Sequence, residues 1–194
     1  MTDSTRPFLV VYVVWHPAFC DGLVIAEILR QHFRRKLYEN IAGGTGLSVI
    51  YRYVVAPEST QPLPIDLTDA DTAAIVVLAD NNLVGDTAWT AYVQELCHRT
   101  EAAGLGTRVF PVEIDTDVLA RLGVDEQALL WARWEGELAE RGRRLTAALT
   151  YAFCRLLRHY LEYLTRPGEE DEALEAYLKK VQIFLSHSKH DQHG

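Results

Sequence analysis

FLVVYVV (residues 8–14) is followed at once by WHPAFCDG (residues 15–22). The first part is a continuous apolar run rich in β-branched side chains, which is typical of a strand covered on both faces. After the polar loop, apolar residues recur at helical spacing over residues 23–38. A buried strand that leads through a loop into a helix is the repeating unit of a parallel α/β sheet.

The same unit recurs along the chain. Apolar runs predict four further strands, over residues 47–55, 72–78, 107–114 and 129–134. Helical patterns cover residues 88–103 and 136–164, and Asp86 or Thr87 is placed to cap the first of these helices. Because strands and helices alternate, we expect right-handed crossovers and a mainly parallel five-stranded sheet with helices on both faces. The last helix is longer than a small domain needs, so it is a candidate contact with another domain or with a second copy.

Composition excludes several classes of function. The 194 residues fit one domain with little left for a second, and the net charge of -8 argues against a nucleic-acid partner. The apolar run near the start is too short to span a membrane. Three widely spaced cysteines suggest neither a disulfide framework nor a zinc site, so no metal and a cytoplasmic location are predicted.

The end of the chain echoes its beginning. Residues 166–180 look like a linker and a short helix, and VQIFLSHSKHD (residues 181–191) follows. Both VYVVWHPAFCDG and VQIFLSHSKHD are apolar runs with a histidine one residue past the strand end and an aspartate soon after. We therefore expect residues 181–194 to be the first strand and loop of a second domain that continues beyond Gly194.

VQIFLSHSKHD resembles the first conserved box of Toll/interleukin-1 receptor (TIR) domains. The residues that carry this resemblance are Phe184, Ser186, His187, Ser188 and Asp191. ADTAAIVVLADNNLVGDTAW (residues 70–89), RVFPVEID (108–115) and LLWARW (129–134) resemble later strands of the same fold more loosely. The resemblance implies a flavodoxin-like three-layer sandwich. It implies a degenerate TIR-like domain over residues 1–165, a linker and short helix over 166–180, and a truncated second TIR domain from 181.

The resemblance also implies where catalysis should be sought. Many TIR domains cleave NAD with a glutamate four residues after a helix-opening tryptophan, where a carboxylate can stabilise an oxocarbenium-like centre. Trp89 matches that tryptophan, but the fourth residue after it is Val93. Glu95, the nearest acid, lies about 200° further round the helix. The sequence therefore predicts no catalytic residue here and no cofactor, with NAD as a possible substrate or ligand.

A ligand site, if retained, belongs at the carboxyl ends of the strands, as in other parallel α/β sheets. The residues expected at that edge are His16, Asp21, Asp80, Asn81, Asn82, Trp89, Glu113 and Asp115. They form either a nucleotide pocket or a set of helix caps and solvated loop residues, and the sequence favours the second interpretation.

We therefore expect a bacterial-type TIR protein of signalling or antiviral defence. Its first domain is expected to be a regulatory or assembly module, with NAD hydrolysis assigned to the second TIR domain. Expected partners are other TIR domains or a second copy, with no nucleic acid and no membrane. One alternative is that the first domain is itself an NAD nucleosidase or nucleotide-binding domain. Another is that it is purely a protein–protein interaction module.

Overall fold

The structure is a computed structural model that describes residues 6–36, 47–55, 62–124 and 128–165. Within these ranges the strands are β1 (Leu9–Trp15), β2 (Ser48–Arg52), β3 (Thr72–Ala79) and β4 (Thr107–Glu113). The helices are α1 (Gly22–Arg30), α2 (Asn81–Gly85), α3 (Thr87–Ala102), α4 (Val118–Leu122) and α5 (Leu138–Thr165). A π-helical segment, Gln31–Lys36, continues α1, and a 3-10 turn, Trp131–Arg133, precedes α5.

The four strands form one parallel sheet in the order β2-β1-β3-β4. Tyr12 in the middle of β1 lies opposite Ile50 on one side and Ile75 on the other. Every residue of β1 and β3 is buried because these central strands are covered on both faces. This order and direction confirm the predicted flavodoxin-like α/β sandwich.

The two faces of the sheet support separate hydrophobic cores. On one face, α1 and α5 place side chains such as Leu29 and Leu149 against Val11 of β1. On the other face, α3 and α4 place Val93 and Leu122 in the core formed with Val14. Alternation of side chains along the strands sends neighbouring residues to opposite cores, which gives the three layers.

The predicted fifth strand over residues 129–134 is wrong. Leu129 makes only an isolated parallel bridge with Val112, and the chain then turns. The Trp131 side chain is buried in the core, where the Arg141 guanidinium lies 4.3 Å from its ring centroid. Arg141 Nη2 also donates to the Trp131 carbonyl oxygen at 2.9 Å. Burying the indole therefore takes this backbone out of the sheet, and the described residues form four strands.

Other boundaries shift by smaller amounts. The helix predicted over 23–38 is regular only to Arg30 before the π-helical segment, and the second strand ends at residue 52 rather than 55. The predictions over 88–103 and 136–164 correspond to α3 and α5 within two residues. The sequence did not predict the one-turn helices α2 and α4. The predicted linker and second-domain segment, residues 166–194, lie outside the described residues.

Helices α1 and α5 approach each other closely at Gly142. A Cβ atom added at Gly142 would lie 3.2 Å from two side-chain carbons of Ile28. The glycine therefore allows the long helix to pack closely against α1 as well as against the sheet. Among the helices that the structure describes, none is long and apolar enough to cross a bilayer.

Candidate functional site

The carboxyl edge of the sheet holds the polar residues that the sequence placed there. Asp80 follows β3 and is almost fully buried. Its carboxylate accepts the backbone N–H groups of Leu83 at 3.0 Å and Asn82 at 3.2 Å. Asp80 is therefore the N-cap of α2, which satisfies donors that would otherwise have no partner at the start of the helix.

Asn81 links this cap to the end of the next strand. Asp115 Oδ2 accepts from the backbone N of Asn81 at 2.8 Å and from its Nδ2 at 2.9 Å. Arg121 Nη1 donates to Asn81 Oδ1 at 2.9 Å. The amide of Asn81 is therefore engaged at both of its atoms, and Asn82 lies exposed beside it.

Glu113, the last residue of β4, is 5% exposed. Its Oε1 accepts the backbone N–H of Asp117 at 3.0 Å. Asp117 has a φ of 64°, a left-handed conformation that few non-glycine residues adopt. The Glu113 carboxylate thus holds the turn that leads into α4.

His16, the residue after β1, has partners at both ring nitrogens. The backbone N–H of Ala18 donates to Nδ1 at 3.1 Å, so this nitrogen is an acceptor and the proton lies on Nε2. Nε2 lies 3.6 Å from Oδ2 of Asp86, whose Oδ1 caps α3 by accepting from Ala88 N at 2.8 Å. The backbone N–H of Ala18 therefore occupies the acceptor nitrogen of His16 in the structure.

The predicted catalytic position is part of the core. Trp89 is 1% exposed and lies edge-on to His16, with ring centroids 5.2 Å apart. Val93 is completely buried in the core formed by α3 and the sheet. Glu95 is exposed on the outside of α3. The structure therefore brings neither Val93 nor Glu95 to the carboxyl edge.

Asp21 stands apart from the other predicted edge residues. It occupies the N-cap position of α1, but its side chain makes no capping hydrogen bond and is exposed. The remaining candidates form two groups, one around the cap of α2 and the Glu113 turn and one around His16, Asp86 and Trp89. Sequence reasoning missed the contributions of Arg121 and Asp117, because each depends on a loop conformation with no local pattern.

A second polar network, also not predicted, lies between α1 and β2. Arg30 donates to Glu27 at 2.6 Å and 2.7 Å, and the Tyr51 hydroxyl donates to Glu27 Oε2 at 3.1 Å. These hydrogen bonds, that of Arg30 above all, lower the pKa of Glu27 to about 2. Burial, reinforced by Glu27, raises the pKa of Tyr51 to about 12. This network fastens the edge strand to a helix.

Among the described residues, no three His, Cys, Asp or Glu side chains are grouped so that they could hold a metal ion.

No known protein-family model matches the chain, and no curated protein matches it. A function for the chain is therefore inferred from the geometry of the molecule.

Proposed function

We propose that residues 6–165 form a non-catalytic, TIR-like assembly module that associates with a second copy of itself through the outer face of α5. The module belongs, in this proposal, to a cytoplasmic protein of signalling or defence. The observation that carries it is an exposed seam along α5 in which Ala147, Tyr151, Cys154 and Leu161 recur at helical spacing. At the carboxyl edge, the carboxylates of Asp80 and Glu113 already accept backbone N–H groups. The resemblance of VQIFLSHSKHD to the first TIR box supports the family assignment, and three free cysteines fit a reducing compartment.

The proposed lack of catalysis is supported by the hydrogen bonds that the side chains at the carboxyl edge make. The carboxylates of Asp80, Glu113 and Asp86 accept backbone N–H groups, and both nitrogens of His16 have partners. In this proposal these carboxylates act as caps of helices and turns rather than as ligands of a substrate. Val93, at the position where the resemblance asks for a glutamate, has no exposed surface.

The outer face of α5 has the pattern of a helix-pairing surface. Its inner face contributes Leu145, Leu149, Phe153 and Leu156 to the core. Its outer face has six exposed residues separated by alternating steps of four and three, which is the spacing of a two-helix seam. This seam consists of Ala147, Tyr151, Cys154, Arg158, Leu161 and Thr165.

The charges beside the seam favour an antiparallel pair. Arg143 and Glu162 are exposed and lie equally far from the midpoint between Tyr151 and Cys154. An antiparallel pair centred there places each Arg143 opposite Glu162 of the second copy, where Glu162 also keeps its ion pair with Arg158 of its own helix at 2.8 Å. A parallel pair would instead place Arg158 opposite Arg158, which is unfavourable.

Cys154 allows a direct test of this geometry in the full chain. Packed helices lie about 8–10 Å apart, so the two Cys154 thiols come within reach of a short bismaleimide. Cys20→Ser leaves Cys154 as the exposed cysteine of the described residues, because Cys97 is buried. We expect this variant to give a covalent dimer, and Cys154→Ser with Cys20 retained to give none. A Cys20→Ser protein that stays monomeric under the reagent would contradict the proposed pairing.

The absence of catalysis is tested by incubating the protein with NAD and measuring nicotinamide release. We expect no turnover that depends on residues of this domain. Turnover that Glu95→Gln abolishes, in a variant that remains folded by circular dichroism, would overturn the non-catalytic assignment.

A further inference from the structure

A cavity of about 660 Å³ lies at the amino edge of the sheet, opposite the edge described above. The turn before β4 supplies its floor, at Gly104, Leu105 and Gly106, and the ends of α3 and α5 supply its walls. Pockets that bind small molecules have this size. Neither the assembly surface nor the carboxyl edge involves this cavity.

One wall of the cavity is aromatic. Tyr160 and Tyr163 line it from successive turns near the end of α5. The Tyr160 ring lies directly over the floor, because a Cβ atom added at Gly106 would be 3.2 Å from its Cε2. The ring also lies 6.1 Å from the ring of Phe8, centroid to centroid. Gly106 therefore permits a close approach that fixes the ring at the cavity.

The rest of the lining carries balanced charge. Arg6 and Arg108 contribute two positive groups, and Asp71 and Glu101 contribute two negative groups. Within the described residues, the side chains of Arg6, Asp71 and Glu101 make no hydrogen bond or ion pair with the protein. These three charged groups therefore remain available to a ligand.

We propose that this cavity binds a small aromatic zwitterion of the free amino acid type. The ligand carboxylate pairs with Arg6, its ammonium pairs with Asp71 and Glu101, and its ring packs against Tyr160. A purely anionic ligand would leave the two acids facing its charge, and a purely cationic ligand would leave Arg6 facing its charge. A zwitterion satisfies both signs.

Three probes that share one ring test this proposal by isothermal titration calorimetry on the full chain. They are L-phenylalanine, 3-phenylpropionate, which lacks the ammonium, and 2-phenylethylamine, which lacks the carboxylate. Loss of one charge-assisted contact weakens binding about tenfold, so we expect phenylalanine to bind at least about tenfold more tightly than either analogue. An analogue that binds as well as phenylalanine would overturn the proposal, as would no binding of phenylalanine at about 10 mM.

Substitutions of the lining residues show which side chain binds the carboxylate of the ligand and which binds its ammonium. Arg6→Gln is expected to weaken the binding of phenylalanine and phenylpropionate about tenfold while leaving the binding of phenylethylamine unchanged. Glu101→Gln is expected to weaken the binding of phenylalanine and phenylethylamine instead. Arg6 and Glu101 are both exposed, so both variants are expected to fold. Glu135→Gln, at an exposed position outside the cavity, is the control. Equal weakening of all three probes by Glu101→Gln would contradict the assignment.

Discussion

At the scale of single residues, Gly22 is fixed by its neighbour Trp15. A Cβ atom at Gly22 would lie 2.2 Å from Cδ1 of the Trp15 indole, which is buried and stacks on Tyr53 at 4.5 Å. Gly22→Ala should therefore lower the free energy of unfolding by about 1–3 kcal/mol, although alanine is the better helix former.

Gly85→Ala is the matched control, because a Cβ atom at Gly85 would meet no heavy atom within 4 Å. Urea unfolding of both variants decides the point. Equal stability of the two variants would show that the indole has another position open to it.

Glu27 gives a prediction about acid stability. Its pKa is lowered from 4.5 to about 2, chiefly by Arg30, so the folded state favours the charged carboxylate. The stabilisation is present above pH 4.5 and is lost as the pH falls through about 2. Thermal unfolding of Glu27→Gln and wild type should therefore show a difference in Tm at pH 5 that shrinks toward pH 2.

The control for this prediction is Glu95→Gln. Glu95 is exposed on α3 and makes no hydrogen bond or ion pair with other described residues. A Tm difference for Glu27→Gln that stayed constant over the same pH range would contradict the linkage.

At the scale of elements, the start of α3 depends on Asp86. Its carboxylate accepts from Ala88 N at 2.8 Å and Trp89 N at 3.3 Å. Asp86→Ala should lower the free energy of unfolding by about 1 kcal/mol, and Asp86→Asn should retain most of the cap. Asp21→Ala is the control because that N-cap side chain makes no capping bond. If chemical denaturation gave the same loss for Asp21→Ala as for Asp86→Ala, the capping account would be wrong.

How much of this architecture the sequence predicts depends on the element. Continuous apolar runs identify the central strands β1 and β3, because central strands need apolar residues on both faces. The less continuous apolar pattern of TRVFPVEI identifies β4, which lies at the edge of the sheet. LLWARW is also largely apolar, yet its backbone turns where Trp131 enters the core beside Arg141. That outcome depends on a partner ten residues away, which no local pattern contains. The helices α2 and α4 are too short to show helical periodicity.

The candidate site, too, can be predicted from the sequence only in part. Topology alone places Asp80, Glu113 and His16 at one edge of the sheet, because parallel strands end together. Whether a carboxylate faces a ligand or caps a turn depends on loop backbone geometry. The left-handed Asp117 beside Glu113 is an example, and the sequence gives no signal for it.

At the scale of the whole molecule, α5 contributes one face to the hydrophobic core and another to the protein surface. It spans about 42 Å, and its inner side chains complete one core while its outer seam is exposed. Tyr151 is 54% exposed and Leu161 49%, both within the seam. A rigid helix that is packed on one side can present the other side without a cost in ordering.

Sedimentation equilibrium of the full chain over a range of concentrations tests whether the protein assembles through α5. We expect wild type to show a monomer–dimer equilibrium, and Tyr151→Asp, which lies opposite Cys154 in the proposed pair, to weaken association at least about tenfold. Leu23→Asp, at an α1 residue that is also 54% exposed, should leave association unchanged. A wild-type protein that is monomeric up to about 100 μM, or an equal loss of association with Leu23→Asp, would contradict assembly through α5.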